Sequence, residues 1–170
     1  MPEAGCSPAC PKRRLAWYLV TAAAVVVLDF LSKRWVEGFL RPGEAIPVTP
    51  FFNLVLTHNP GAAFSFLAQA SGWQRPFFIG ITVAAAFFII YLLRRHWQDT
   101  LFGMALSLIL GGALGNLWDR VMLGHVVDFL DFHAAGWHWP AFNLADSGIT
   151  LGAGLVILEG FLHRDGEARG

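Results

Sequence analysis

FFIGITVAAAFFIIYLL, running from Phe77 to Leu93, holds no charged residue and no proline. As a helix rising about 1.5 Å per residue, such a run reaches roughly 26 Å, close to the hydrocarbon thickness of a bilayer. Three more stretches come near the same length: Leu15 towards Phe39, Leu101 to Trp118, and about Phe142 to Leu162. The fold class that follows is an all-α membrane protein with four transmembrane helices. Whole-chain composition agrees, since 55% hydrophobic and 14% charged residues with a mean hydropathy of +0.52 make the bilayer the natural solvent. Net charge is zero and no block of like charge occurs, so no nucleic-acid footprint is present.

Residues 1–14 read as a disordered cytoplasmic leader. Cys6 and Cys10 sit there with Pro2, Ser7, Pro8 and Pro11, and no His or further Cys lies nearby to complete a metal site. Lys12, Arg13 and Arg14 ahead of the apolar run would also suit a signal peptide, but three further apolar segments favour a retained span. Lys12, Arg13, Arg14, Arg94, Arg95, Arg164 and Arg169 fall on the side of both termini; Lys33, Arg34, Arg41, Arg75 and Arg120 fall opposite. Seven positive residues against five place the termini in the cytoplasm. Residues 15–163 then form one membrane domain and 164–170 a cytoplasmic tail.

The external segment Gly43 to Ser71 is broken by Pro47, Pro50 and Pro60, so it cannot be one helix. Ile46 to Val48, Phe52 to Thr57 and Ala62 to Phe66 are rich in β-branched and aromatic residues and are expected as short strands on the outer membrane surface. A second external segment, Arg120 to Pro140, is expected as a short helix or loop. Its Phe129, Phe132, Trp137 and Trp139 suit the headgroup level, and Gly136 after Ala134 and Ala135 marks a stretch able to move as a flap.

Ionisable groups in apolar spans cost about 2.5 to 3.5 kcal/mol each on insertion scales, so those present invite a functional reading. Asp29 lies roughly 21 Å beyond Leu15 by helical rise, in the outer third of the bilayer, and Lys33 follows one turn on. Asn116 closes the third span at its outer end with Arg120 a turn later; Asn143 and Asp146 open the fourth; Asp128 lies between them. Polar groups from three helices thus share one layer. Simpler roles compete: Asp29 and Lys33 as an i, i+4 pair with Lys33 reaching outwards, or Asn143 as an N-cap with Asp146 as first-turn acid. Glu159 with His163 reads as an inner-boundary pair. The glycines of spans three and four let helices approach closely.

DFLSK (29–33), NPGAAFSF (59–66), GGALGNLWDR (111–120), VVDF (126–129) and FNLAD (142–146) together resemble the signal peptidase II family, the lipoprotein signal peptidases of bacterial membranes. Their order and the four-span layout agree with it from about Leu15 to Leu162. The resemblance implies an external β-cradle and an aspartyl endopeptidase that needs no metal or cofactor. It implies catalysis by Asp128 and Asp146, with substrate contact or framing of the pair by Asn59, Gly61, Asn116, Arg120, Asn143, Asp29 and Lys33. It further implies diacylglyceryl-modified prolipoproteins and membrane lipids as partners, a monomer, and an active site near the periplasmic face of the inner membrane.

Residue chemistry is compatible with this, because two adjacent carboxylates cannot both ionise cheaply, and sharing one proton supplies an acid and a base together. Ser65 or Ser147 with His125 lacks a G-x-S-x-G elbow, and His125, Asp128, Asp131, His133 and His138 lack an HExxH pattern. A proton or ion relay would carry its polar groups towards the midplane, whereas here the inner half of each span is apolar apart from Glu159.

Overall fold

The computed structural model describes residues 11–61 and 73–167, with side chains as far as 162. The expected strand Ala62 to Phe66 and the side chain of His163 lie outside the described residues. In chain order the elements are α1 (Pro11–Glu37), β1 (Ala45–Thr49), β2 (Phe52–Asn59), α2 (Gln74–Arg95), α3 (Thr100–Met122), β3 (Val126–Ala134), β4 (Trp137–His138) and α4 (Leu144–Glu167). All four helices are long and apolar enough to cross a membrane.

Boundaries shift where local chemistry outweighs hydropathy. Helix α1 is already helical at Pro11, where the described residues begin, rather than only from Leu15. Helix α3 continues to Met122, so Asn116 and Arg120 stand inside it rather than at its end. The larger correction concerns the connection between α3 and α4. It is not a helix or loop but β3 and β4, because VVDFLDFHA carries β-branched and aromatic residues suited to a strand and finds β2 as an antiparallel partner. The flap stretch is the β3–β4 hairpin, turning through Ala135 and Gly136, both at positive φ. Phe129 is buried against Val36, Leu56 and Val127 instead of sitting among headgroups, while Trp137 and Trp139 are exposed.

Helix α3 is central: half of its span is buried, against 17% or less for the other three. Their outward faces carry large exposed apolar side chains such as Phe87, Phe88 and Phe161, a surface suited to lipid. Tyr18, Ala22, Ala86, Ile89, Leu93, Leu106 and Leu110 join α1, α2 and α3 in the half nearer the α2–α3 turn. Tyr18 Oη donates to the carbonyls of Trp97 and Asp99, and Arg14 donates to that of Gln98, so the start of α1 and this turn share one end of the bundle. At the other end the strands form an antiparallel sheet in the order β1-β2-β3-β4.

Contact between α3 and α4 depends on missing side chains. A Cβ on Gly112 would overlap the carbonyl oxygen of Ala145, and one on Gly115 would lie 2.8 Å from Asp29 Oδ2. A Cβ on Gly154 meets nothing within 4 Å. Gly112→Ala is therefore expected to lower stability by about 1–3 kcal/mol through overpacking, whereas Gly154→Ala leaves it unchanged or slightly raised. Thermal unfolding of both variants in one detergent checks this.

Candidate active site

Asn143 and Asp146 form the N-terminal cap of α4. Asn143 Oδ1 accepts from Asp146 N at 2.9 Å, and Asp146 Oδ2 accepts from Asn143 N at 3.3 Å, the reciprocal pattern of a capping box. The simpler sequence reading of this pair is thus correct in part, but the cap does more. Because a backbone N–H fixes Asn143 Oδ1 as acceptor, its Nδ2 must face the other way. There it donates to Asp128 Oδ1 at 2.7 Å, to Asn116 Oδ1 at 3.1 Å and to the Val127 carbonyl at 3.2 Å. One asparagine therefore touches both Asp128 and Asp146.

Asp128 reaches the same point from the sheet. On β2, Leu54 pairs with Leu130 but Thr57 pairs with Asp128, so a bulge adds one residue to β2. A one-residue shift exchanges the faces of a strand. Upstream of the bulge, Asn53 Nδ2 donates to Asp131 Oδ2 at 2.8 Å; downstream, Asn59 Nδ2 donates to Asp128 Oδ2 at 3.1 Å. Without the bulge Asn59 would face away from Asp128. Burial first, and then the nearby Asp146 charge, push the Asp128 carboxyl up to about 7, with Asn59, Lys33 and Asn143 opposing.

Behind the two aspartates lies a buried ion cluster. Lys33 Nζ is 2.7 Å from Asp29 Oδ2 and 2.7 Å from Asp119 Oδ2, and donates to Asn116 Oδ1 at 3.1 Å. Lys33 is 2% exposed, so it points into the bundle rather than outwards. Asp29 Oδ1 accepts from Ala145 N at 2.9 Å, and Asp119 Oδ2 from Val127 N at 3.2 Å. Each carboxylate thus holds the backbone one residue before Asp146 or Asp128.

Asn116 Nδ2 donates to Asp146 Oδ1 at 2.8 Å. Arg120, one turn along α3, donates from Nη2 to the Gly61 carbonyl at 3.0 Å and from Nη1 to the Asn116 carbonyl at 3.3 Å, while Gly61 N donates to Asn59 Oδ1 at 3.0 Å. Among the described residues the buried Arg120 Nε has no partner. Asn59, Asn116, Arg120, Asp128 and Asp146 open onto a cavity of about 740 Å³ whose apolar wall includes Trp139, Phe142 and Leu151.

Of the sequence-derived residues, Asp128, Asp146, Asn59, Asn116 and Arg120 line this cavity, with Asn143 beneath them and Gly61 at the edge. Asp29 and Lys33 do not line it; they stand one layer behind, because their charges are satisfied by Asp119 and by one another. The histidines go elsewhere: His125 stacks on His58, and His138 stacks on His133 while meeting Asp131 at 3.0 Å. Asp119 was missed. Its place beside Arg120 reads as a helix-end pair, and its one signal is the three-residue spacing from Asn116 on a shared helix face.

A model of the family described as signal peptidase (SPase) II matches residues 21–162. The chain belongs to the signal peptidase II family. It is a peptidase by that membership. It is 60% identical over 134 residues to the lipoprotein signal peptidase of Ralstonia nicotianae, covering 79% of this chain and 78% of that one. With the lipoprotein signal peptidase of Janthinobacterium sp. the identity is 57% over 145 residues, 85% and 87% of the two chains. A solved structure described as a bacterial membrane enzyme, obtained by the in meso method at 2.3 Å, is 32% identical with a TM-score of 0.79, covering 91% of this chain and 92% of that one. The four membrane-capable helices and small antiparallel sheet are thus shared with a membrane enzyme.

The unforeseen Asp119 offers the sharpest check of the site's architecture. Asp119→Leu leaves Lys33 with one carboxylate and Val127 N–H without its acceptor, and is expected to cost about 3–5 kcal/mol. Trp118→Leu, on the exposed side of the same turn, is expected to cost far less in parallel thermal melts.

Proposed function

We propose that this peptidase is an aspartyl endopeptidase that removes signal peptides from prolipoproteins by hydrolysing the bond before the diacylglyceryl-modified cysteine, with Asp128 and Asp146 as its catalytic pair. One observation carries the reading: carboxylates from a strand and a helix start meet through Asn143 at the wall of a single cavity. That cavity is polar where the aspartates lie and apolar along Trp139, Phe142 and Leu151, which suits a peptide bond joined to acyl chains. Membership of the family and the lipoprotein signal peptidase relatives support the substrate class.

Both oxygens of each carboxylate accept N–H donors, Asp146 from Asn116 Nδ2 and Asn143 N and Asp128 from Asn143 Nδ2 and Asn59 Nδ2, so burial rather than hydrogen bonding sets the two apart. Asp128, with its carboxyl pushed up to about 7, is suited to hold the proton that the pair shares. Asp146 takes a proton from water as the water oxygen bonds to the scissile carbonyl carbon. Asp128 gives its proton to the carbonyl oxygen. On collapse the intermediate returns that proton to Asp128, the proton on Asp146 goes to the leaving nitrogen, and the C–N bond breaks. The Arg120 guanidinium at the cavity wall brings positive charge beside the two aspartates, where it would stabilise developing charge on a substrate carbonyl. These steps use carboxylates and water, without metal or cofactor, and one chain supplies both aspartates, so a monomer suffices.

The excess of positive residues on one side supports a reading with both termini in the cytoplasm and the cavity near the periplasmic face of the inner membrane. Residues 15–163 constitute the peptidase domain, with 1–14 a cytoplasmic leader and 164–170 a cytoplasmic tail.

Purified protein with a diacylglyceryl-modified prolipoprotein tests the reading by gel shift and mass spectrometry. Wild type is expected to cut directly before the lipidated cysteine, and Asp128→Asn and Asp146→Asn to fall by at least about 10³-fold while melting as folded proteins. Equal cleavage by either variant would remove that aspartate from the pair.

A pH series follows from Asp128. If it must be protonated, kcat/KM declines about tenfold per unit above pH 7, and an alkaline limb elsewhere counts against it as the acid. Stability carries the same sign. The folded carboxyl lies near 7 against 3.8 unfolded, so the folded chain holds a proton that the unfolded chain has lost between those values. Stability is thus lost as pH rises through that window, by up to about 4 kcal/mol for three units. Asp128→Asn is expected to raise Tm over wild type at pH 8 and to match it near pH 4.

A further inference from the structure

We propose that Lys33 is a positioning residue for this reaction: its ammonium turns the Asn116 carboxamide so that Nδ2 faces Asp146, while its two carboxylate partners hold the backbone leading into each catalytic aspartate. This rests on the aspartyl reading above and assigns Lys33 a role in the chemistry without contact with substrate.

Donors and acceptors around Lys33 match in number. An ammonium has three hydrogens and no acceptor, and Lys33 Nζ has three neighbours that accept: Asp29 Oδ2, Asp119 Oδ2 and Asn116 Oδ1. None of its hydrogens is left over. Asn143 Nδ2 also approaches Asn116 Oδ1, but it has two hydrogens for three acceptors, and the short one is spent on Asp128 at 2.7 Å. Asn143 alone therefore holds Asn116 weakly. Take away Lys33, and the amide loses its charged donor, so only the shared Asn143 donor and the Asp146 oxygen itself oppose a turn that would bring oxygen to oxygen. With Lys33 present the flip is closed, because it would set an NH2 group against an ammonium.

The carboxylates extend the hold. Asp29 bridges from Lys33 to Ala145 N, next to Asp146, and Asp119 bridges from Lys33 to Val127 N, next to Asp128. Helix α1 thereby fixes the approach of two elements distant in sequence. A guanidinium is larger and spreads its donors over a rigid planar fork, so Lys33→Arg does not reproduce three hydrogens converging from one buried nitrogen. The Lys33 charge also acts on Asp128, opposing the rise of its carboxyl pKa.

The test compares wild type, Lys33→Met, the charge-conserving pair Lys33→Met/Asp29→Asn, and Asp146→Asn on the diacylglyceryl-modified prolipoprotein. Thermal melts establish the folded fraction of each. Per folded molecule, both Lys33 variants are expected to lose at least about 10-fold in kcat with KM held within about 2-fold. In Lys33→Met the alkaline limb is expected to move up by about one pH unit. If Lys33→Met does not fold, the paired variant decides, since it retains one carboxylate and an Asn oxygen for Ala145 N. Wild-type kcat per folded molecule in a Lys33 variant, with the limb unmoved, overturns the proposal and leaves Lys33 a purely structural ion. Cleavage by Asp146→Asn would instead sink the aspartyl reading itself.

Discussion

A single buried ammonium organises this protein. Two carboxylates and one amide oxygen within 3.1 Å of Lys33 Nζ draw together side chains on α1 and α3, and through them the backbone at the starts of β3 and α4. An unpaired charge at this depth is costly, and two carboxylates without their lysine would repel at close range. The cluster is therefore stable only as a unit. Its completion requires α1, α3, β3 and α4 to arrive in one arrangement, which is the arrangement that brings Asp128 and Asp146 to a common cavity.

The helices can satisfy that demand because they lack bulk where they meet. Gly112 lets the start of α4 lie against α3 closely enough for Asn143 to reach Asn116 and Asp128, and Gly115 leaves room for the Asp29 carboxylate of α1. Packing and polar contact are linked here: small residues permit the approach, and the amides and ions it brings together reward it. The sheet adds the remaining wall. Its bulge on β2 lets one strand serve Asp131 with Asn53 and Asp128 with Asn59, two tasks that an unbroken alternation would place on the same face. Burial and hydrogen bonds from Asn53 and His138 act in opposite senses on Asp131, and the bonds win, holding its carboxyl below the ordinary range.

Legibility was uneven for physical reasons. The apolar runs at Phe77 to Leu93 and their three companions predict spans because a bilayer imposes its thickness on any helix that crosses it. The polar layer at Asp29, Asn116, Asp128 and Asp146 was visible for a related reason, as helical rise converts sequence distance into depth. The connection from Val126 to His138 was misread, because aromatic residues suit both a headgroup belt and a half-buried strand, and only the presence of β2 alongside decides between them. Asp119 stayed hidden since a carboxylate near a helix end has many uses, and its partner Lys33 is far away along the chain.

The amino-acid sequence by itself determined the solvent, the number of spans, the shared depth of the polar residues and the resemblance to signal peptidase II, all of which depend on composition, local periodicity or short strings. Tertiary structure alone decided which polar groups meet. Whether Lys33 faces water or two carboxylates, which way the amides of Asn116 and Asn143 turn, and that a bulge gives Asn59 to Asp128 are matters of register and approach between distant segments. Local propensity carries no information about such contacts, because their energy exists only once the segments that make them have come together.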